Sequence, residues 1–186
     1  MVAQELFLLI AVMLLGGVAQ GAVIRSDPLP GLAIPLDADR SWRGHRLFGD
    51  NKTVRGVIVM VSATTVAATV LLPLAPPVSP APWYGWTGLG ALMGIAYLLA
   101  ELPNSFVKRR LGIDPGDHGQ GWRRAVQYLV DQSDSVIGVA LLLWWVLALP
   151  ADEVVILAVV GVGVHAAFDV ALHRFGVKGG VTRPGP

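Results

Sequence analysis

Long apolar runs dominate this chain and limit the kinds of fold that it can form. A helix needs about 20 mainly apolar residues to cross a bilayer, and the runs that suit this role are residues 2–24, 57–74, 85–102, 135–149 and 154–172. The fourth run is short, and extending it back through residues 125–130 would place Asp131 and Asp134 within a longer helix. The sequence therefore predicts an all-α, polytopic integral membrane bundle of about five transmembrane helices.

Composition supports this class and excludes several kinds of chemistry. Of the 186 residues, 54% are hydrophobic, which is high for a soluble domain of this size. The chain has no cysteine, so disulfides, zinc-thiolate sites and a cysteine nucleophile are excluded. The first apolar run carries Glu5 and lacks a preceding basic flank, which favours a retained helix over a cleaved signal peptide.

The positions of the Lys and Arg residues predict an orientation, because cytoplasmic loops are enriched in these residues. All 14 lie in or beside the connection after the first run, the connection after the third run and the carboxy-terminal end. The other connections carry none. We therefore expect the amino terminus outside, the carboxy terminus in the cytosol, and cytosolic loops at about residues 25–56 and 103–134. Residues 1–186 are expected to form one domain of the cell (cytoplasmic) membrane, with its active site on the cytosolic side.

The first basic connection contains the segment FGDNKTVRG, residues 48–56. Backbone amides, a hydroxyl and two cations occur together there, and these groups are suitable partners for phosphate oxygens. They belong to Asn51, Lys52, Thr53, Arg55 and Gly56. The segment is not a Walker-type loop, since the pattern Gly-x-x-x-x-Gly-Lys is absent. Cations beside a helix entrance also anchor lipid headgroups, and this alternative stays open.

The second basic connection begins with LPNSFVKRR, residues 102–110. Pro103 is predicted to end or kink the third helix, with Asn104 and Ser105 as cap or turn residues. A cationic patch follows, made of Lys108, Arg109 and Arg110. A glycine-rich stretch then leads to residue 121 and is suited to close approach to a ligand. Basic residues at a helix end are also the usual marker of a cytoplasmic loop, so this simpler interpretation stays open.

Asp131 and Asp134 form the third polar segment. Spaced three positions apart, they share one face if the segment is helical. Two close carboxylates repel each other unless a cation lies between them, and oxygen ligands favour Mg²⁺ or a similar hard ion. The alternative is a solvated acidic helix start that complements the helix dipole.

The fifth apolar run carries His165, Asp169 and His173, which recur every four residues and share one face. Asp169 and His173 are expected near the cytosolic end, where they could pair with loop cations. His165 lies deeper, and ionisable groups inside a span usually face the bundle interior, so we expect it to make a buried polar contact. A transition-metal site on this face ranks below these interpretations.

These segments, in this order, resemble the CDP-archaeol synthase family, membrane cytidylyltransferases related to the bacterial CDP-diacylglycerol synthases. The resemblance runs from residue 35 to residue 178 and rests on three motifs. They are Gly49-x-Asn51-Lys52-Thr53-x-Arg55-Gly56, Pro103-Asn104-Ser105-x-x-Lys108-Arg109-Arg110 and Asp131-Gln132-x-Asp134.

The resemblance implies transfer of a cytidylyl group from CTP to a lipid phosphate, giving a CDP-lipid and pyrophosphate for phospholipid biosynthesis. The catalytic residues that it implies are Lys52, Arg55, Lys108, Arg109, Asp131 and Asp134. The implied substrate-binding residues are Asn51, Thr53, Gly56, Asn104, Ser105, Arg110, Asp117 and His118. Asp131 and Asp134 are the implied ligands of Mg²⁺ or another divalent cation, with a monovalent ion as a further alternative.

The expected partners are CTP, a lipid phosphate similar to archaetidic acid or phosphatidic acid, and membrane lipid. We expect no nucleic-acid partner, since the sequence lacks a soluble basic domain with interleaved aromatic residues. A homodimer stays open. Two other functions also stay open: a CTP-dependent lipid kinase, which would release CDP, and a small transporter or structural membrane protein, which would place charges along a path through the bundle.

Overall fold

The computed structural model describes residues 3–74, 85–115, 117 and 121–174, without the side chain of His173. Its helices are α1 (Ala3–Ser26), α2 (Val54–Leu71), α3 (Gly85–Arg110), α4 (Trp122–Leu147) and α5 (Ala151–Arg174). Between α1 and α2 lie a 3₁₀ turn (Pro30–Leu32) and an antiparallel hairpin of β1 (Ser41–Trp42) and β2 (His45–Arg46), and a second 3₁₀ turn (Leu72–Leu74) follows α2. Within the described residues, five helices are long and apolar enough to cross a membrane, which confirms the predicted fold class.

The third helix extends further than its apolar run indicates. It continues through Pro103 to Arg110, so the first of the two predicted alternatives for Pro103, that it ends this helix, is wrong. Asn104 and Ser105 accordingly lie inside the helix and not at a cap or turn. Proline removes only one main-chain hydrogen bond, and the residue that follows it is tied to α4 by side-chain hydrogen bonds.

The fourth helix begins at Trp122, well before its most apolar part. Asp131 and Asp134 therefore lie inside a helix, as the longer alternative for this run predicted. Their carboxylates project from a continuous helical face, because residues three apart in an α-helix are neighbours on its surface.

Small residues allow α3 to approach both of its neighbours closely. A Cβ atom added at Gly94 would lie 2.5 Å from Thr64 Oγ1 on α2, and one added at Gly138 on α4 would overlap the Cβ atom of Ala100. Close contacts at small residues are the usual way in which transmembrane helices associate. α3 is thus held between α2 and α4.

Apolar side chains fill the interior and also cover the outside of the bundle. The core residues include Val12, Met60, Leu89, Met93 and Leu143, which are fully buried. Large apolar residues such as Trp145, Phe7 and Val159 are exposed by 82%, 68% and 67%, which suits a surface that contacts lipid. Apart from Glu5, Asp152 and Glu153, the charged side chains of the described residues lie toward one end, where the α1–α2 and α3–α4 connections meet.

Candidate active site

Asn104 on α3 joins the two predicted aspartates of α4. Its Nδ2 atom donates to Asp131 Oδ1 at 2.6 Å and to Asp134 Oδ2 at 2.8 Å. The other oxygen of Asp134 accepts from the main-chain N–H of Ser135 at 2.6 Å. One amide group therefore lies between two carboxylates that would otherwise repel each other.

Two further donors surround Asp131. Lys108 Nζ lies 2.9 Å from Asp131 Oδ2, and the Lys108 side chain is only 9% exposed. Gln127 Nε2 donates to Asp131 Oδ1 at 3.1 Å and to Asn104 Oδ1 at 2.6 Å. The structure thus brings together four predicted residues, Asn104, Lys108, Asp131 and Asp134, and adds Gln127 to them. We call these five side chains the aspartate cluster.

Lys52 reaches the same end of the bundle from the α1–α2 connection. Its Nζ atom pairs with Glu101 Oε2 on α3, and the two side chains are about one-fifth exposed. Glu101 precedes Asn104 by about one helical turn, and residues at this spacing share a helix face. The ion pair therefore places the Lys52 cation next to the aspartate cluster.

Thr53, Arg55 and Gly56 shape the start of α2. The Thr53 hydroxyl accepts from Gly56 N at 3.1 Å and caps the helix, and Gln20 of α1 donates to Gly56 O at 2.8 Å. Arg55 Nη1 donates to Asp27 Oδ1 and to the Pro28 carbonyl, each at 2.7 Å. These contacts fix the direction in which the connection enters the helix.

Asp37 organises the α1–α2 connection, although the sequence did not single it out. Its fully buried carboxylate accepts from Arg46 at 2.6 and 3.2 Å, and from the main-chain N–H groups of Asp39, Phe48 and Gly49 at 3.2, 3.0 and 3.1 Å. Burial raises the pKa of Asp37, but the Arg46 guanidinium and the main-chain donors of Phe48 and Gly49 lower it more. The net pKa lies well below the usual range, so the ionised form of Asp37 holds the turn that leads into Lys52.

Arg110 fastens the β-hairpin to the end of α3. Its guanidinium donates to the carbonyl groups of Trp42 and Arg46, the latter at 2.8 Å. The same group lies over the ring of Phe106, 4.5 Å from its centroid. The described contacts of Arg110 are therefore those of a residue that positions the connection.

The two polar connections also touch each other. Gly49 has a φ of +97°, and a Cβ atom added there would lie 3.1 Å from Pro115 Cγ and 3.4 Å from Arg109 Nε. Among the described residues, the Nε atoms of Arg55, Arg109 and Arg110 are buried and have no hydrogen-bond partner. These guanidinium groups therefore keep donor capacity that an anion could use.

A cavity of about 690 Å³ joins this polar end to the apolar interior. Its polar lining includes Asn51, Lys52, Thr53, Arg55 and Glu101. Elsewhere it is lined by apolar side chains from α1, α3, α4 and α5, including Leu9, Met13, Met93, Val139, Leu143 and Leu157. Its volume lies within the range of about 300–1,000 Å³ that is typical of ligand sites. The shape suits a ligand with an anionic head and an apolar body.

His165 makes polar contacts inside the bundle, as predicted, although its side chain is only partly buried. Its Nδ1 atom lies 3.1 Å from the Gln132 carbonyl oxygen, and its Nε2 atom lies 3.4 Å from the Tyr97 hydroxyl. Asp169 is also buried, at 6% exposure, and lines the same cavity. The side chain of His173 lies outside the described residues.

The remaining predicted site residues are more scattered. Asn51 is exposed at the mouth of the cavity, and Ser105 is buried within α3. Asp117 takes part in a turn in which its N–H donates to Asp114 O at 3.0 Å. His118 lies outside the described residues. Over the part of the chain that the structure describes, no three His, Cys, Asp or Glu side chains gather as a metal-binding group.

Sequence reasoning missed Glu101, Gln127 and Asp37. An acidic residue within an apolar run usually has a function, so the position of Glu101 was a usable signal. Gln127 lies four positions before Asp131, a spacing that brings two side chains together on a helix. Asp37 was missed because, apart from the nearby N–H of Asp39, its partners are Arg46 and main-chain groups further along the connection.

Comparison with known proteins identifies the family of this chain. The profile of the CarS-like CDP-archaeol synthase family matches residues 6–181. The chain belongs to this family. The CDP-archaeol synthase of Methanospirillum hungatei is 31% identical over 159 residues, which cover 81% of this chain and 90% of that protein. The CDP-archaeol synthase of Pyrococcus furiosus is 30% identical over 153 residues, which cover 80% of this chain and 84% of that protein.

A solved structure has the same fold. It is described as an intramembrane enzyme for archaeal membrane lipids biosynthesis, and it matches this chain with a TM-score of 0.60 at 23% identity. The match covers 86% of this chain and 91% of that structure. The family predicted from the three motifs is thus confirmed. The prediction that the chain is a multi-pass membrane protein is confirmed as well.

Proposed function

We propose that this chain transfers a cytidylyl group from CTP to a lipid phosphate and releases pyrophosphate. Membership of the CDP-archaeol synthase family supports this reaction. The observation that carries the proposal is a cavity whose polar end, lined by Lys52 and Arg55 together with acidic residues such as Glu101, opens into an apolar body. A lipid phosphate has the same division into an anionic head and apolar chains.

The reaction needs no nucleophile from the protein. An oxygen atom of the lipid phosphate attacks the α-phosphorus of CTP and forms the new P–O bond. The bond from the α-phosphorus to the oxygen that bridges to the β-phosphorus breaks, and pyrophosphate leaves. Catalysis then consists mainly of alignment and charge neutralisation, for which cations and hydrogen-bond donors suffice.

The cations at the polar end suit this task. Lys52 comes from the α1–α2 connection, Arg55 from the first turn of α2 and Arg109 from the last turn of α3, and at least the last two keep an unused donor. Lys108 is already paired with Asp131. We assign Lys52, Arg55 and Arg109 to the phosphate groups of CTP and the acceptor, and Lys108 to the charge balance of the aspartate cluster. Asn51, at the cavity mouth, is assigned to the orientation of the substrate.

We assign Asp131 and Asp134 as the ligands of a divalent cation such as Mg²⁺. The donor set fits this assignment, because the two carboxylates are already close enough to share one amide group. Carboxylate and amide oxygens are the ligands that hard cations prefer. When bound, the cation supplies positive charge to phosphate oxygens.

The acceptor chains are placed along the apolar part of the cavity. This part is lined by Leu9 and Met13 of α1, Val139 of α4 and Leu157 of α5, so it lies between helices that belong to different parts of the chain. Ether-linked archaetidic acid and diacyl phosphatidic acid are both compatible with an apolar lining. The name of the curated relatives favours the ether lipid as the acceptor.

The active site is assigned to the cytosolic face of the cytoplasmic membrane, with the amino terminus outside. The basic residues of both polar connections support this orientation. The chain has no cysteine, so single cysteines can report on it directly. In intact cells, a membrane-impermeant maleimide should label Asp152→Cys and spare Arg43→Cys. The reverse pattern would overturn the orientation.

A homodimer remains a prediction, and crosslinking of the same single-cysteine proteins would test it.

The reaction is tested with purified protein, labelled CTP, Mg²⁺ and a panel of ether-linked and diacyl lipid phosphates. Pyrophosphate and lipid-linked cytidine should appear together and in equal amounts. CDP with a phosphorylated lipid would identify a kinase instead. If no acceptor in the panel is converted, the transporter or structural alternative becomes the better interpretation.

A further inference from the structure

The aspartate cluster contains two side-chain amides whose donors are fully used. Asn104 Nδ2 has two hydrogens and donates to Asp131 and Asp134. Gln127 Nε2 also has two hydrogens and donates to Asp131 and to Asn104 Oδ1. Every one of these contacts presents nitrogen to a carboxylate or an amide oxygen. In this orientation, the amide N–H groups stabilise the two carboxylates when no cation lies between them.

The same two amides can present oxygen instead. Oxygen and nitrogen are nearly equal in size in a side-chain amide, so a half-turn exchanges their positions with little change in shape. If Asn104 and Gln127 turn together, Asn104 Nδ2 donates to Gln127 Oε1, and the hydrogen bond between the two side chains survives with its direction reversed. Asn104 Oδ1 then faces Asp131 and Asp134, and Gln127 Oε1 takes the place of Nε2, 3.1 Å from Asp131 Oδ1, so that hydrogen bond is lost.

The spacing of the cluster suits this second state. The Asn104 atom that faces the aspartates lies 2.6 Å and 2.8 Å from their oxygens. In an octahedral Mg²⁺ shell with bonds of 2.0–2.1 Å, neighbouring oxygens are roughly 2.9 Å apart. After the turn, the oxygens of Asn104 and Gln127 and of the two aspartates repel each other without a cation, and a hard cation removes that repulsion.

We propose that Asn104 is the third oxygen ligand of the cation site, reached by a joint half-turn of the Asn104 and Gln127 amides from the donor orientation in which they hold Asp131 and Asp134. This inference rests on the proposed assignment of the two aspartates to a divalent cation. Gln127 acts as a positioning residue, because it keeps Asn104 hydrogen-bonded in both orientations. Lys108 stays on the other oxygen of Asp131 and takes no part in the turn.

The test measures binding of Mn²⁺ by the full chain in detergent, after removal of metal with a chelator. Free Mn²⁺ gives an electron paramagnetic resonance signal, so affinity is read without any turnover. Asn104→Leu removes both donor and acceptor at similar size, and should weaken Mn²⁺ binding at least about tenfold. Asn104→Asp supplies oxygen without any turn and should bind Mn²⁺ at least as tightly as the unaltered chain.

Thermal stability separates the two orientations. Without metal, Asn104→Asp should melt below the unaltered chain, because three carboxylates then face each other. Added Mn²⁺ should raise its melting temperature by more than it raises that of the unaltered chain. Asn104→Leu should show little Mn²⁺ stabilisation. The matched control is Gln4→Leu, which removes an amide at the other end of the bundle, where it donates to Leu74 O at 3.1 Å.

A second pair of variants isolates the role of Gln127. A carboxylate at this position can only accept, so Gln127→Glu should force Asn104 to turn its oxygen to the aspartates and strengthen Mn²⁺ binding. If the gain comes through Asn104, it disappears in the double variant Gln127→Glu/Asn104→Leu. A gain that persists in the double variant would show that the added charge alone is responsible, and would remove Gln127 from the proposal.

The outcomes distinguish this inference from the assignment on which it rests. If the unaltered chain and Asp134→Asn bind Mn²⁺ equally, the cation site itself is wrong. If Asp134→Asn loses binding while Asn104→Leu binds as well as the unaltered chain, or better, the cation site stands and Asn104 is not a ligand. If Asn104→Leu does not fold, Asn104→Asp decides, since weaker binding by this variant would overturn the proposal.

Discussion

The aspartate cluster and the α1–α2 connection reach the same polar end by different structural means. The carboxylates Asp131 and Asp134 stand on a transmembrane helix and are tied to a second one through Asn104. Lys52 instead stands on a connection whose shape depends on the buried carboxylate of Asp37. Rigid helices thus carry the two carboxylates, whereas Lys52 is carried by a loop. Asp37 fixes this loop by its hydrogen bonds to Arg46 and to main-chain N–H groups, and we call this set of contacts the clamp.

This difference predicts two kinds of defect. Helical groups keep their positions when one side chain is changed, so a change there should remove an interaction and leave the rest of the site intact. A loop that loses its clamp moves as a whole, so several weak contacts with substrate should be lost together. The first kind should lower kcat, whereas the second should raise KM.

The largest expected effect is that of Asp134→Asn. It removes one carboxylate from the proposed cation site while keeping the size of the side chain, and should lower kcat about 1,000-fold or more, since such a site supplies several kcal/mol of charge stabilisation. Pyrophosphate release measures this loss. Asp152→Asn, on an exposed aspartate in the first turn of α5, is the matched control and should keep full activity. An active Asp134→Asn protein would remove this aspartate from the site.

Lys52→Ala should have the next largest effect, lowering kcat/KM about 100-fold. The change removes a phosphate cation and also leaves Glu101 without its partner. The double variant Lys52→Ala/Glu101→Gln separates these two consequences. It should recover thermal stability, because no unpaired carboxylate remains, and it should stay as slow as Lys52→Ala. Recovery of activity in the double variant would mean that Lys52 serves only to neutralise Glu101.

Apolar length and charge distribution made the helices and the polar end predictable from the sequence. Pro103 was misjudged because its local preference against helix was weighed without the hydrogen bonds that Asn104 makes to α4. The aspartate pair was predictable, since its spacing of three residues suffices to place both carboxylates on one face. The hydrogen-bond partners of the pair were not predictable, because Asn104 and Gln127 come together only through the packing of α3 against α4.

The clamp in the α1–α2 connection was the least predictable feature. Asp37 lies in a stretch with several charged residues, and nothing in its neighbours distinguishes it from Asp39, which is exposed. The difference arises only when the chain folds back and brings Arg46 and two main-chain N–H groups to one carboxylate. Only the contact with the N–H of Asp39 is local, and the other donors reach Asp37 only in the folded chain.

Asp37→Asn should raise KM by about tenfold with a smaller change in kcat. The amide keeps the shape of the side chain but replaces charge-assisted hydrogen bonds to Arg46 with weaker ones, so the turn before Lys52 loses its fixed position. Steady-state kinetics with CTP and the lipid phosphate varied separately would measure both constants. Limited proteolysis should cut this variant faster within residues 40–46. A loss confined to kcat would contradict the contrast drawn between loop and helices.

The smallest expected effect is a pH dependence of the stabilisation that Asp37 gives to the α1–α2 connection. The pKa of Asp37 is lowered in the folded protein, so its contribution to stability is fully present above the pKa of the unfolded state, about 3.9, and is lost only as the pH falls through the lower, folded value. The unaltered chain should be cut by protease within residues 40–46 more slowly than Asp37→Asn. This difference in cutting rate should be constant from pH 8 to about pH 5 and should narrow below about pH 4. Limited digestion with pepsin in the acid range, and with an acid-tolerant protease at higher pH, would measure the two rates. A difference that already fades near pH 6 would mean that another group, and not Asp37, controls the connection.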